Sequence, residues 1–150
     1  MNSPLVPGLF PRPVSKHVLI VDEQLMIRSI ITSFAHSWGF TARGAASLSG
    51  ACRMIVSDGP FDGVICNYEL PDGDAFDLVD WMHEQGLEVP TIVPYDGSRP
   101  KKVPRATVTM LAKPFDPVDM REALERASHG GAGGSARPTA RKKSMAGGQS

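Results

Sequence analysis

The sequence predicts an α/β domain with helices on both faces of a parallel sheet, and three observations support this. Short apolar runs with sharp polar ends alternate with segments whose apolar residues recur every three or four positions. The runs are continuously apolar, as expected of strands buried on both faces. Polar residues follow four of the runs, and such sheets bind ligands beyond the carboxyl ends of their strands.

In the first half, the predicted strands are 18–21 and 40–45. The helix between them ends at Gly39, a residue type common just past helix ends. Ser47 is a suitable N-cap for a second helix, which runs to about Ser57. The apolar stripe of the first helix comprises Ile27, Ile30, Ile31, Phe34 and Trp38, and the second helix directs Ala51, Met54 and Ile55 inward.

In the second half, residues 62–68 contain the third strand, and a loop with Pro and Gly covers 69–74. A helix follows from about Ala75 to Gly86, and strands follow at 89–93 and 108–112. Asp116 is a suitable N-cap for the last helix, with Pro117 at its first position. The apolar residues are Phe76, Leu78, Val79 and Met82 in the third helix, and Val118, Leu124 and Ala127 in the last.

The segment between the fourth and fifth strands is unusual. Residues 96–107 (DGSRPKKVPRAT) contain Pro100 and Pro104 and almost no apolar residues. Proline costs about 3 kcal/mol inside a helix and removes a hydrogen-bond donor. We therefore predict that the helix between the fourth and fifth strands is missing or reduced to a turn.

Composition suits one domain with two flexible ends. The chain has 150 residues, 41% hydrophobic and 21% charged. We assign 1–15 to a Pro-rich extended or disordered arm, 16–128 to the folded domain, and 129–150 to a disordered Gly-rich basic tail. The domain holds 11 basic residues against 16 acids, a net charge of −5, which argues against nucleic-acid binding by the folded part.

Other features of the composition concern location. No stretch approaches about 18 apolar residues, so we expect no membrane span. Two cysteines without metal-ligand spacing, Cys52 and Cys66, favour a reducing compartment, and we expect a cytoplasmic protein. Cys66 lies in an apolar run and is interpreted as a core residue.

Polar residues from four strands are predicted to meet in one crevice. Asp22 and Glu23 follow the first strand, Asn67 the third, Tyr95 the fourth and Lys113 the fifth. The carboxyl ends of parallel strands lie at one edge of the sheet. The arrangement resembles the acidic pocket of a phosphoryl-accepting domain, but Asn67 stands where such a pocket would have a carboxylate. An amide cannot form an acyl phosphate, because its nitrogen is not an acidic oxygen nucleophile.

The chain resembles the receiver domain of two-component response regulators over about residues 16–128. The resemblance rests on the motifs HVLIVDEQLMIR, FDGVICNYELPDGDAFDLV, VPTIVPYDG and MLAKPFDPVDM. It implies a flavodoxin-like fold with strand order 2-1-3-4-5. It also implies a pocket in which an acidic pair, an acceptor Asp and a backbone carbonyl bind Mg²⁺, while a hydroxyl and a Lys hold the phosphoryl group.

The resemblance implies a role for each residue of this degenerate pocket. Asp22 and Glu23 match the acidic pair, Asn67 falls on the acceptor, and Lys113 matches the Lys. The remaining implied roles are the metal-binding carbonyl for Glu69, the hydroxyl position for Tyr95, the aromatic switch position for Met110, and a cis peptide bond for Pro114. Because the acceptor is absent, we expect weak or no Mg²⁺ binding and no other cofactor.

Several simpler interpretations compete with these roles. Asp22 and Glu23 are alternatively solvated loop acids. Lys113 is alternatively a plain surface residue, although we favour a structural ion pair with Asp22 or Glu23. We interpret Asn67 as a polar cap whose hydrogen bonds hold the pocket, and Glu69 as a displaced acceptor is the minor alternative.

We therefore predict a pseudo-receiver: an atypical, non-enzymatic signalling domain of a two-component or phosphorelay pathway that needs no phosphorylation. It would act by protein–protein contact with a histidine kinase, a phosphotransfer protein or another regulator, or as a homodimer. No catalytic Ser-His-Asp, Cys-His or P-loop pattern is present. The alternatives are an active receiver with another acidic acceptor and a nucleic-acid-associated adaptor that uses the basic tail.

Overall fold

The computed structural model describes residues 16–130, and the predicted arm and most of the predicted tail lie outside this range. The main strands are β1 (Lys16–Val21), β2 (Phe40–Ala45), β3 (Gly63–Cys66), β6 (Thr91–Tyr95) and β7 (Val108–Ala112). They form a parallel sheet in the order β2-β1-β3-β6-β7, which is the predicted order 2-1-3-4-5 when only these five strands are counted. The four helices of the described part are α1 (Leu25–Ser37), α2 (Leu48–Asp58), α3 (Ala75–Glu84) and α4 (Pro117–Gly130).

The core consists of two apolar layers, one on each face of the sheet. Alternate residues of β1 point to opposite faces, so Leu19 and Val21 pack in one layer while Val18 and Ile20 pack in the other. The layer under α2 and α3 also contains Ala51, Val64, Cys66, Leu78, Val79, Met82 and Val93. The layer under α1 and α4 also contains Ala35, Ile65, Ile92, Met120, Ala123 and Leu124.

The helix ends agree with the sequence signals. Gly39 follows α1 with φ 91° and Gly86 follows α3 with φ 79°, both in the left-handed region that favours glycine. The Ser47 hydroxyl accepts a hydrogen bond from the Gly50 N–H at the start of α2. Helix α4 continues to Gly130 and so includes the first two residues of the predicted tail.

The predictions of inward-facing residues were wrong for Ile30, Phe34 and Val118. In and directly after α1, Ile31 and Trp38 pack against the core as predicted, whereas Ile30 is 46% and Phe34 37% exposed. In α4, Leu124 is buried as predicted, together with Met120 and Ala123, whereas Val118 is 44% exposed. The side chain of Ala127 lies outside the part of the chain that the structure describes. A stripe with apolar residues on more than one side of a helix does not reveal which side the sheet covers.

The segment between β6 and β7 contains no helix, as predicted from its prolines. Instead, residues 96–107 run as bends and turns, with ion pairs to α3. Arg105 Nε lies 2.8 Å from Asp80 Oδ1, and Lys102 Nζ lies 3.4 Å from Asp80 Oδ2. The pKa of Asp80 is lowered, chiefly by the hydrogen bond from Arg105.

The loop after β3 contains a small hairpin that the sequence did not predict. Its strands are β4 (Glu69–Leu70) and β5 (Gly73–Asp74), which pair antiparallel. Asp72 at its tip accepts hydrogen bonds from the Ser49 N–H (3.0 Å) and the Leu48 N–H (2.7 Å), which lower the pKa of Asp72. The hairpin therefore supplies an additional cap to the first turn of α2.

None of the helices within residues 16–130 is long and apolar enough to cross a membrane.

Candidate functional site

The candidate site lies where β1, β3, β6 and β7 end, and strand register brings its residues together. Val21 pairs with Cys66, so Asp22 and Asn67 follow adjacent residues of neighbouring strands. The Asn67 N–H donates to the Val21 carbonyl over 2.9 Å. Likewise Tyr95 pairs with Ala112, and the Lys113 N–H donates to the Tyr95 carbonyl over 2.9 Å.

The centre of the site is a chain of hydrogen bonds through the Asn67 amide. Lys113 Nζ donates to Asn67 Oδ1 over 2.7 Å, and Asn67 Nδ2 donates to the Glu69 carbonyl over 2.9 Å. Because an ammonium only donates and a carbonyl only accepts, these partners fix which way the amide faces. The interpretation of Asn67 as a polar cap that holds the pocket agrees with this geometry.

Lys113 has a different ionic partner from the one we favoured. Its ammonium lies 3.6 Å from Asp96 Oδ2, and no ion pair with Asp22 or Glu23 is present. The Asp96 side chain is 82% exposed, so this pair contributes little to stability. The prediction was wrong because Lys113 Nζ donates to Asn67 Oδ1 and lies beside Asp96, and no pattern in the sequence indicates that Asp96 approaches it.

The two N-terminal acids occupy different environments. Asp22 is buried, with 6% exposure, and its Oδ1 accepts from the Gln24 N–H over 2.9 Å. Glu23 is exposed. The interpretation of both residues as solvated loop acids therefore fits Glu23 and not Asp22.

Arg28 is a component of the site that sequence reasoning missed. Its Nη1 donates to the Asp22 carbonyl over 2.7 Å and to the Glu23 carbonyl over 3.2 Å. The guanidinium thus fixes the backbone of the acidic pair from the first turns of α1. A basic residue five positions after the second acid was the available signal.

The remaining predicted residues line the rim of the site. Tyr95 is the last residue of β6 and half-buried, while Glu69 lies exposed in β4. The Lys113–Pro114 peptide bond is cis, as the resemblance implies. Met110 packs against the layer under α2 and α3.

Cys66 lies directly beneath the site and is fully buried, as predicted. Burial raises the pKa of its thiol, and the carboxylates of Asp22 and Asp74 raise it further. The thiol therefore stays protonated at neutral pH and is a poor nucleophile.

The donor set of the site bears on metal binding. Within the part of the chain that the structure describes, no three His, Cys, Asp or Glu side chains are grouped closely enough to hold a metal ion. Two oxygens that the resemblance assigns to Mg²⁺ already accept hydrogen bonds, Asn67 Oδ1 from Lys113 and the Glu69 carbonyl from Asn67. These two oxygens are thus already hydrogen-bonded within the site.

Solved structures agree with this fold. A response regulator receiver protein from Sinorhizobium medicae WSM419 is 18% identical, with a TM-score of 0.69, covering 77% of this chain and 96% of its own. The receiver domain of an HD domain-containing protein from Pseudomonas fluorescens Pf-5 is 23% identical, with a TM-score of 0.68, covering 76% and 94%. At such identities the likeness shows the fold alone.

A third structure is also similar. A CheY-like receiver domain protein from Methanospirillum hungatei JF-1 is 18% identical, with a TM-score of 0.65, covering 77% of this chain and 94% of its own. No curated protein matches the sequence.

The sequence matches the response regulator receiver domain family over residues 18–125, most of the chain and all five strands of the main sheet except the first two residues of β1. Members of this family are generally non-enzymatic modules of two-component signalling that interact with kinases or other regulators. The chain therefore belongs to the response regulator receiver domain family.

Proposed function

We propose that this chain is an atypical receiver, a pseudo-receiver that signals in the cytoplasm through protein contacts and without aspartyl phosphorylation. Its partner would be a histidine kinase, a phosphotransfer protein or another regulator. The observation that carries the proposal is the side chain at the acceptor position: Asn67 replaces the nucleophilic carboxylate and is itself bonded to Lys113.

The chemistry of the amide supports this proposal. Phosphoryl transfer to a receiver needs an anionic oxygen that attacks phosphorus, and the Asn67 oxygen is neutral. The cation that would stabilise the transferring group, Lys113, is held 2.7 Å from that same oxygen. The oxygen at the acceptor position and the ammonium that would stabilise the transferring group are therefore bonded to each other in one structural hydrogen bond.

We also propose that Mg²⁺ binds weakly or not at all. Mg²⁺ favours carboxylates in a near-octahedral set and gives up water reluctantly. Replacing a carboxylate by Asn67 removes one negative charge, and Asn67 Nδ2 occupies the Glu69 carbonyl. Binding the metal would require breaking that hydrogen bond as well as moving Lys113.

The surface formed by the segment between β6 and β7, which a partner could contact, is irregular and not helical. Residues 96–107 contain no helix and are joined to α3 through Asp80. A partner meeting this side of the sheet would contact an irregular basic segment in which Val103 is 85% exposed. This supports an output specific to this chain.

A phosphorylation assay tests the proposal. The wild type and Asn67→Asp are incubated with acetyl phosphate and Mg²⁺, and intact mass is measured. We expect no mass gain for the wild type. A gain of one phosphoryl group on an Asp or Glu of the wild type, Glu69 included, would overturn the proposal in favour of an active receiver.

The variant Asn67→Asp is the matched control. A gain confined to this variant would attribute the loss of phosphorylation to the single amide. If neither protein is labelled, the altered residues around the acceptor, Tyr95 among them, also block transfer, and phosphorylation independence still stands.

A further inference from the structure

The outward face of α1 carries a row of apolar side chains. Met26 is 73%, Ile30 46% and Phe34 37% exposed. Residues four apart lie one above the other on a helix, so these three side chains form a continuous line, here named the α1 stripe. At the C-terminal end of the α1 stripe, the Phe34 ring stacks on Trp38 with ring centroids 5.8 Å apart.

No charged side chain interrupts the α1 stripe. The helix holds one Lys or Arg and no acid, and that residue, Arg28, donates to the carbonyls of Asp22 and Glu23. Single exposed apolar residues are ordinary on protein surfaces, whereas a contiguous patch marks a contact surface. The α1 stripe therefore fits an uncharged, apolar occupant.

The chain enters the fold beside this surface. Lys16 pairs with Phe40, which comes two residues after Trp38, and the Thr41 hydroxyl donates to the Lys16 carbonyl over 3.3 Å. Residue 15 thus precedes a strand whose first residue lies next to the C-terminal end of α1. The N-terminal fifteen residues start from the Phe34 end of the α1 stripe.

The length of this segment matches the α1 stripe. From Phe34 to Met26 the helix rises about 12 Å, at about 1.5 Å per residue. An extended chain covers about 3.1 Å per residue, so Phe10, six residues before Lys16, reaches about 19 Å from it. The residues before Phe10 therefore reach the whole of the α1 stripe.

The chemistry matches as well. Residues 5–10 read LVPGLF, without a charged or hydrogen-bonding side chain, and the only Lys or Arg of residues 1–15 is Arg12. We propose that residues 5–10 lie along the α1 stripe of the same chain and cover Met26, Ile30 and Phe34. A short tether gives an effective concentration in the millimolar range, which favours the chain's own segment over a second copy. This contact goes beyond the proposed function and does not depend on it.

Trp38 serves as the reporter of this contact. In a Trp81→Phe background it is the remaining tryptophan, and it stacks on the C-terminal end of the α1 stripe. Acrylamide quenching and the emission maximum are measured for the full chain, for deletion of residues 1–15 and for the double variant Leu9→Ser/Phe10→Ser. Arg12→Ala is the matched control, because it changes the same segment without removing apolar surface.

We expect the deletion and the double variant to raise the quenching constant of Trp38 and to shift its emission to longer wavelength. Arg12→Ala should leave both unchanged. Ile30→Gln, a substitution at a side chain that is 46% exposed, should reproduce the effect from the helix side. Equal quenching of the full chain and the double variant would overturn the proposal.

Sedimentation velocity separates the chain's own segment from a second copy. We expect the full-length protein to be monomeric, with Trp38 quenching independent of protein concentration. A full-length dimer that becomes monomeric when residues 1–15 are deleted would overturn the proposal in favour of exchange between copies. The result of the phosphorylation assay does not depend on where residues 5–10 bind, so either proposal can be refuted without refuting the other.

Discussion

Asn67→Ala tests whether the amide holds the site together. The substitution removes the acceptor for Lys113 at 2.7 Å and the donor to the Glu69 carbonyl at 2.9 Å. A hydrogen bond to a charged group contributes about 1.5–3 kcal/mol and a neutral one about 0.5–1.5 kcal/mol. Lys113 is 30% exposed, so water replaces part of the loss, and the lower limits apply. We expect a loss of about 2 kcal/mol in the free energy of unfolding.

Urea unfolding measures this loss. With a slope of about 2 kcal/mol per M, the midpoint should fall by about 1 M while the slope stays constant. Glu69→Ala is the matched control: it keeps the carbonyl that accepts from Asn67 and removes only an exposed side chain. Its effect should stay within about 0.5 kcal/mol.

A double-mutant cycle with Lys113→Met isolates the central hydrogen bond. Residues in direct contact show interaction energies of about 0.5–3 kcal/mol, and we expect about 1 kcal/mol here. A coupling below about 0.3 kcal/mol, the level found for independent sites, would refute the reasoning. The same conclusion would follow if Glu69→Ala were as destabilising as Asn67→Ala.

Three other predictions follow from the structure. Asn67→Asp should bind Mg²⁺ more tightly than the wild type in calorimetric titration, since it adds a negative ligand and frees the Glu69 carbonyl; equal affinities would contradict this. Met82→Ala should cost about 2–5 kcal/mol of unfolding free energy in urea, because Met82 is 1% exposed, whereas the exposed Glu84→Ala should be nearly neutral. The lowered pKa of Asp80 means that its contribution to stability is present above the ordinary carboxyl pKa and is lost as pH falls through the folded value. Urea midpoints measured from neutral pH to below about pH 4 should therefore fall less for Asp80→Asn than for the wild type, and parallel curves would argue against this.

Much of the fold was predictable because local signals agreed with the tertiary structure. The buried strands, the glycine after α1 and the prolines of 96–107 each act through backbone sterics or burial, which depend little on distant residues. The side that a helix buries is less local. Ile30 and Phe34 are apolar and helical in spacing, yet the sheet covers a different face of α1.

The candidate site was predictable in its membership and less so in its contacts. The parallel strands place Asp22, Asn67 and Lys113 at one edge of the sheet, and the strand order was implied by the resemblance to receiver domains. Which groups contact the Lys113 ammonium depends on distances of a few ångströms, and in the structure its partners are Asn67 and Asp96 and not Asp22. The β4–β5 hairpin was missed because two-residue strands carry no periodic pattern.

The Asn67 amide has a consequence for how such a molecule is controlled. A carboxyl at this position would carry a charge that depends on protons, metal and covalent chemistry, whereas an amide is uncharged at every pH that a cell reaches. Under the proposed function, the position of Lys113 is therefore set when the polypeptide folds, and every molecule presents the same surface to its partners. The signal then depends on how many molecules are made and which partners they contact, and no enzyme is needed to reverse a modification.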